Sequence, residues 1–140
     1  MHVPHVSENL FHKLVNNVNA RGIRVGEQKK ADLLQQAIYY FRKKGYKVER
    51  EKTSIEGYSG ILRKFDLIVK KGRLTQGVWI KDWKRTIGVN VVINLDKASE
   101  DAGLSNPILI GGKFSDHAKS YANRRKITLL TKRQIIIGLR

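Results

Sequence analysis

Three charged residues near the middle of the chain have the types and spacing that phosphoester chemistry requires. Asp66 lies at the start of the apolar stretch FDLIVKKG, and Asp82 and Lys84 lie two residues apart near the end of GVWIKDWKR. Carboxylate oxygens suit Mg²⁺, which keeps several waters and accepts substrate phosphates as further ligands. A lysine beside such a cation orients the attacking water or stabilises the negative charge that develops on phosphate. These residues predict, in outline, a site for phosphodiester hydrolysis.

The two stretches that carry these residues predict a pair of β-strands joined through a turn region, RLTQ. Because side chains alternate along a strand, Asp82 and Lys84 share a face with Ile80. If the strands pair as a hairpin, Asp66 approaches Asp82 at one end of the sheet. The same spacing also fits a surface hairpin with a merely solvated Asp–Lys pair, so the tripeptide by itself does not decide between the two.

The remaining sequence patterns predict helices and further strands in alternation. We expect helices at 7–22, at EQKKADLLQQAIYYFRKK with Gly45 as its C-cap, at 87–102 with Thr86 as its cap, and at SDHAKSYANRR after Ser115. Strands are expected at YKVERE, NPILIGG and KITLLT, whereas TSIEGYSGILRK is a loop or a bent strand and KRQIIIGL is either helix or strand. A three-strand meander followed by crossover helices predicts a mixed α/β sheet with helices on both faces.

Charge is the strongest compositional signal. The 140 residues, enough for one domain, include 28 Lys and Arg against 12 Asp and Glu, a formal net charge of +16. Such an excess favours a polyanionic partner, and nucleic acid is the expected one. There is no cysteine for a disulfide or a thiolate metal site. The apolar runs are too short to span a membrane, and we expect a cytoplasmic protein without a membrane partner.

Several stretches resemble the PD-(D/E)xK, or restriction-endonuclease-like, nuclease superfamily. The motif is matched by Phe65-Asp66 and by the DWK tripeptide, with Phe65 in place of the leading proline. AIYYFRKKGYKVE, KFDLIV and the segment from TIGVNVVINL to TKRQI are most similar to Mrr-like restriction endonucleases, with archaeal Holliday junction resolvases as a related group. The resemblance covers about 30–136. We therefore expect an N-terminal helical extension at 1–25 and a nuclease-like domain with a restriction-endonuclease-like fold at 26–140.

The resemblance implies a role for each motif residue. Asp66 and Asp82 would bind Mg²⁺, with Mn²⁺ as a substitute, and Lys84 would place or activate the water. The family often adds an acid from the first helix, for which Asp32 and Glu27 are the candidates, Asp32 ranking first. Both residues equally fit ordinary acidic positions near a helix start.

These features together favour a metal-dependent DNA endonuclease that acts on branched DNA or in restriction or repair, expected by analogy to be a homodimer. Because no separate recognition domain is evident, structure-selective or partner-directed cleavage is expected over sequence-specific restriction. The basic residues expected to contact phosphates are Lys81, Arg85, Lys97, Lys113, Lys119, Arg124 and Arg125. The alternative is a noncatalytic nucleic-acid-binding module, which the charge supports equally well. Two carboxylates turned toward phosphate argue against that alternative, because they would repel it.

Overall fold

A computed structural model describes the backbone of residues 25–140 and the side chains from Asp32 onward. The helix expected at 7–22 lies outside the described residues. The helices are α1 (Val25–Lys43), α2 (Val89–Asp101), α3 (Asp116–Arg125) and α4 (Lys132–Gly138). The strands are β1 (Lys47–Glu49), β2 (Ser54–Glu56), β3 (Leu62–Lys64), β4 (Leu67–Lys71), β5 (Leu74–Lys81), β6 (Ile108–Gly111) and β7 (Thr128–Thr131).

Five strands form one mixed sheet in the order β1-β4-β5-β6-β7. The first three strands of this order pair antiparallel, which confirms the predicted meander. The chain then crosses over through α2 to reach β6 and through α3 to reach β7, and both of these strands run parallel to β5. The predicted mixed α/β architecture is therefore confirmed.

Each face of the sheet has its own apolar core. On one face, buried side chains of α1 such as Leu33 and Phe41 pack with Val78 and Ile80 of β5 and with Ile135 of α4. On the other face, apolar residues of α2 and α3 pack with Phe65, Leu109 and the half-buried Trp79 and Trp83. Neighbouring residues of β5 thus serve opposite cores, as the strand period requires. None of the helices between 25 and 140 combines the length and hydropathy that a membrane span needs.

The β4–β5 hairpin is tighter than the sequence suggested. The turn consists of Gly72 and Arg73, and β5 already begins at Leu74, so RLTQ belongs largely to the strand. Gly72 has φ +61°, a left-handed conformation that glycine adopts without the penalty of a side chain. Leu74 pairs with Lys71, and the pairing continues to Val78 opposite Leu67.

The segment left open between loop and strand forms a second, two-stranded sheet of β2 and β3. Its turn is fastened to the end of α2. The carboxylate of Asp101 accepts hydrogen bonds from the backbone N–H of Ser59 at 2.9 Å, the Ser59 hydroxyl at 2.7 Å and Nε of Arg63 at 2.8 Å. These bonds, from Ser59 first and then from Arg63, lower the pKa of Asp101 to about 2. The small hairpin is therefore held by an ionised carboxylate.

The structure corrects the predicted start of α2 and identifies the undecided C-terminal segment as a helix. Thr86 does not cap α2, because Ile87 remains extended and forms a parallel bridge with Phe114, so the helix begins after Gly88. The undecided segment at the C-terminal end is the helix α4. Thr131 and Gln134 form a reciprocal capping box at its start, with the Thr131 hydroxyl accepting from the Gln134 N–H at 3.0 Å.

Candidate active site

The carboxyl ends of the three parallel strands meet at one edge of the sheet. Lys81, Gly111 and Thr131 are register partners at the ends of β5, β6 and β7. The residues that follow them, among them Asp82 and Lys132, leave the sheet at the same edge. In open α/β sheets, ligands bind in the crevice outside the carboxyl ends of the strands, so this edge is the expected location of a functional site.

A cavity of about 680 Å³ lies at this edge. Two acids and three lysines line it: Asp32, Asp82, Lys84, Lys113 and Lys132. The other lining residues are Leu33, Gln36, Trp83, Gly112 and Ile136. The cavity therefore brings together residues from α1, α4 and the segments that follow β5 and β6. Its excess of ammonium groups over carboxylates suits an anionic ligand.

Asp82 and Lys84 occupy this cavity but not the strand that was expected to carry them. The strand β5 ends at Lys81, and both residues lie on the connection to α2. Pairing with β6 stops at Gly111 and pairing with β4 stops earlier, so no neighbouring backbone continues the ladder beyond Lys81. The expectation that a rigid strand presents Asp82 and Lys84 is thus wrong. The short connection presents them on the side of the sheet where α1 and α4 pack.

Asp66 immediately precedes β4 and lies beside β5, as the predicted hairpin requires. Its backbone N–H donates to the carbonyl of Val78 at 2.9 Å, and its Oδ2 accepts from the N–H of Ile80 at 2.7 Å. The residue is half-buried, and its carboxylate is hydrogen-bonded to Ile80 of β5, which precedes Asp82 by two residues. Asp66 is not one of the residues that line the cavity, so the structure brings it to the edge of the site rather than into it.

The helix α1 contributes Asp32 to the cavity, which is the candidate that ranked above Glu27. Asp32 is exposed and lines the cavity together with Asp82. Glu27 lies in the same helix, but its side chain is outside the described residues. The helical candidate that the structure places at the site is therefore Asp32.

Lys132 is the residue of the cavity that the sequence patterns did not single out. Its Nζ lies 3.0 Å from Oδ1 of Asp82, and the side chains of Asp82 and Lys132 are 10% and 39% exposed. The capping-box pattern at Thr131 and Gln134 was the available signal for the helix that carries it. A pair between residues so distant in sequence has no local signature.

A row of alternating aromatic and basic side chains lies where β5 meets the core of α2 and α3, and its Trp83 also borders the cavity. Nζ of Lys81 lies 5.0 Å from the ring centroid of Trp79 and 5.7 Å from that of Trp83, and Cζ of Arg85 lies 4.3 Å from the Trp83 centroid. The indole of Trp79 is itself fixed by a 2.9 Å hydrogen bond from Nε1 to the carbonyl of Lys64. Cation–π contacts of this kind hold the two positive charges against the indoles of Trp79 and Trp83.

The other basic residues expected to contact phosphates are dispersed. Lys97 borders a separate recess with Tyr58 and Asp101, near the far end of α2. On α3, Lys119 is exposed, and Cζ of Arg124 lies 5.9 Å from the ring centroid of Tyr121. Arg125 is committed to α2, because its Nε donates to Asp96 at 2.8 Å and its Nη2 donates to Glu100 at 3.3 Å. Of the basic residues expected to contact phosphates, the structure thus places Lys113 in the cavity, Lys81 and Arg85 against the rings of Trp79 and Trp83, and Arg125 in helix packing.

The donor set of the cavity is oxygen-based and small. Asp32 and Asp82 supply carboxylates, and Asp66 lies outside the cavity lining, where its Oδ2 accepts from the N–H of Ile80. From Asp32 onward, no three His, Cys, Asp or Glu residues are grouped so as to hold a metal ion by themselves. Mg²⁺ is commonly held by one or two carboxylates with waters and substrate phosphates, rather than by a complete protein cage. The donors present therefore fit Mg²⁺ or Mn²⁺ and do not fit a metal that requires nitrogen or sulfur ligands.

The mixed sheet, its flanking helices and the charged cavity define a restriction-endonuclease-like fold. Among solved structures, a protein described as being of unknown function, AF1548, shares this fold with a TM-score of 0.63 at 15% sequence identity. The match covers 71% of this chain and 57% of that one, so the present chain corresponds to a little over half of its relative.

The family is shown by sequence. The chain belongs to the Mrr-type restriction endonuclease family, whose model, described as a restriction endonuclease, matches residues 27–137. The predicted resemblance is thereby confirmed. No curated protein matches the sequence.

Proposed function

We propose that the chain is a metal-dependent endodeoxyribonuclease whose active centre is the cavity at the carboxyl edge of the sheet. The observation that carries the proposal is the placement of Asp82 and Lys84 in one cavity with Asp32, in a chain of the restriction endonuclease family. The charge of +16 supports DNA as the substrate, because neutralisation of phosphates releases counterions and drives binding.

Each acid and lysine has a proposed role. Asp82 and Asp66 would hold a divalent cation, with Asp32 as the third acid. When bound, such a cation lowers the pKa of a water and offsets charge on the phosphate. Lys84 would orient the attacking water and stabilise the negative charge that develops on the phosphoryl oxygens. Lys113, which lines the same cavity, would bind a phosphate of the substrate strand.

The row of Trp79, Lys81, Trp83 and Arg85 would bind the DNA backbone next to the cavity. The indoles limit the positions that the two cations adopt, so less side-chain entropy is lost when phosphates are bound. Contacts of this kind fix orientation and register but do not read sequence. Lys97, Lys119 and Arg124 would add to the wider positive field.

The test is a cleavage assay on supercoiled plasmid with Mg²⁺, Mn²⁺ or EDTA. We expect cleavage with either metal, none with EDTA, and a loss of at least about a hundredfold for Asp82→Asn and Lys84→Met. Asp116→Asn is the matched control, because it removes an exposed carboxylate of α3 that does not line the cavity. If Asp82→Asn and Asp116→Asn cut equally fast, the proposed centre is wrong.

The Lys132–Asp82 pair favours a second candidate, a noncatalytic DNA-binding module of the same fold, because a lysine already neutralises the central acid. This candidate predicts salt-dependent DNA binding that is the same in EDTA and Mg²⁺, without any strand cleavage. The plasmid assay together with a binding titration in EDTA separates the two functions.

We further propose that the enzyme prefers branched DNA and acts as a homodimer. The substrate preference is measured by comparing initial rates on a four-way junction and on a linear duplex of the same sequence. Equal rates would reject a preference for structure. Sedimentation at the protein concentration of the assay measures the oligomeric state, and a monomer at that concentration would reject the dimer.

A further inference from the structure

Lys132 is hydrogen-bonded to Asp82, the more buried of the two carboxylates that line the cavity. Its ammonium group donates a 3.0 Å hydrogen bond to Oδ1 of Asp82, whose side chain is only 10% exposed. A charge-assisted bond of this kind is among the stronger hydrogen bonds in proteins. Any cation that uses the same oxygen therefore competes with Lys132.

The register of the sheet produces this contact. Gly112 follows the β6 residue that pairs with both Lys81 and Thr131, so it lies in the row between Asp82 and Lys132. Two strand spacings amount to about 9.5 Å. The ends of β5 and β7 therefore place Asp82 and Lys132 at the same edge of the sheet, one on each side of β6.

The position of Lys132 in its helix is also unusual. Lys132 is the first residue of α4, and a cation at the start of a helix is disfavoured by the helix dipole. The capping box of Thr131 and Gln134 supplies the helix start, so a lysine is not needed for it. Arg133 shares this disfavoured charge, but Lys132 is the one of the two whose charge is paired with the carboxylate of Asp82.

We propose that Lys132 is a positioning residue that changes its partner, from Asp82 in the free protein to a substrate phosphate in the complex with DNA. This inference rests on the proposed function, in which Asp82 is a metal ligand. Before metal and DNA arrive, Lys132 neutralises Asp82 and lowers the affinity of Asp82 for a divalent cation. When a cation occupies Asp82, Lys132 turns to the cavity, where Lys84 and Lys113 already present ammonium groups to an anion. DNA, by attracting Lys132, strengthens cation binding at Asp82, and the coupling is reciprocal.

Binding of Mn²⁺ in the absence of DNA, measured by calorimetry, is the first test. We expect Lys132→Met to bind Mn²⁺ about tenfold more tightly than the unsubstituted protein, equivalent to about 1.4 kcal/mol. Lys113→Met is the matched control, because it removes the same charge from the same cavity without breaking a bond to Asp82. Lys132→Arg, which retains a positive donor, should bind as the unsubstituted protein does. Equal affinities for Lys132→Met and Lys113→Met would overturn the proposal, provided that circular dichroism shows both to be folded.

The second test follows the lysine itself. Acetylation of the folded protein with a water-soluble reagent, read by mass spectrometry, should increase several-fold at Lys132 when Mn²⁺ is added and stay constant at Lys113. In Asp82→Asn, Lys132 should be acetylated rapidly with and without Mn²⁺. Acetylation at Lys132 that does not respond to bound Mn²⁺ would overturn the proposal.

The proposed role of Asp82 as a metal ligand and the proposed role of Lys132 are rejected by different results. If Asp82→Asn leaves Mn²⁺ affinity unchanged, the proposed function loses its metal ligand. If Asp82→Asn weakens Mn²⁺ binding but Lys132→Met leaves it unchanged, the metal ligand stands and only the role of Lys132 is rejected.

Discussion

Replacing Gly77 with alanine tests how the packing of β5 sets the position of Asp66. Gly77 lies in β5 under the ring of Phe65, the residue directly before Asp66. A Cβ at this position would lie 2.5 Å from Cδ1 and 2.6 Å from Cε1 of that ring. Ordinary carbon contacts are about 3.5–4.0 Å, so the ring must move by about 1 Å. Both residues are buried, which leaves little room for that movement.

The expected cost follows from these distances. Overpacking of a buried site costs about 1–3 kcal/mol, and we expect about 2 kcal/mol because the obstructing atoms belong to a rigid aromatic ring. For a domain of this size, the melting temperature falls by about 4 °C per kcal/mol, so a decrease of about 8 °C is expected. Because Asp66 follows Phe65, the cleavage rate at a temperature where the variant is folded should also fall, by up to about a hundredfold.

Urea unfolding and a double-mutant cycle measure the effect. Phe65→Leu removes much of the ring, so the alanine should cost at least about 1 kcal/mol less in that background. Gly88→Ala is the control, because its Cβ would meet no atom within 4 Å and the cost should stay below about 1 kcal/mol. Additive effects of the Gly77 and Phe65 substitutions, or a Gly77→Ala variant as stable as the parent, would contradict a clash between the new Cβ and the Phe65 ring.

Three further predictions concern the hairpin, the last helix and the DNA surface. Because the pKa of Asp101 is lowered to about 2, its contribution to stability should be complete above about pH 4 and lost as the pH falls toward 2. The difference in urea midpoint between the parent and Asp101→Asn should therefore shrink as the pH falls from about 4 to about 2. A difference that stays constant would contradict the prediction. Thr131→Ala should cost about 1 kcal/mol in urea unfolding by removing the cap of α4, while Thr131→Ser keeps the cap oxygen and should be nearly neutral. Arg85→Gln should reduce the slope of log K against log salt for DNA binding by about one, whereas Arg73→Gln, in the turn at the opposite edge of the sheet, should leave the slope unchanged.

The elements that local patterns specify were predictable from the sequence. The apolar stripe and Gly45 define α1, and Ser115 caps α3 by accepting from the Ala118 N–H at 3.1 Å. The spacing of apolar residues in α2 prevailed over the strand preference of its valines and isoleucines. The meander and the mixed sheet followed as well, because a hairpin and two crossover helices leave few possible topologies.

The features that depend on distant partners were not predictable in this way. The end of β5 is set by where β4 and β6 stop pairing, which the apolar pattern of β5 does not contain. The contacts of Asp101 and Lys132 each join segments brought together only by the folded sheet. For the same reason the sequence identified Asp82 and Lys84 as the candidate site but not the lysine that holds Asp82.

The cavity lies between the first and the last helices of the described chain, and this placement bears on folding. Asp32 and Lys132 come together only after contacts between segments far apart in sequence have formed, and such contacts are slow to form because loop-closure entropy opposes them. Positive charge, by contrast, is present along the whole chain and does not depend on folding. A partly folded chain therefore has the means to hold DNA before it has the arrangement proposed to cut it. The proposed cleavage would thereby be confined to molecules that have completed their fold.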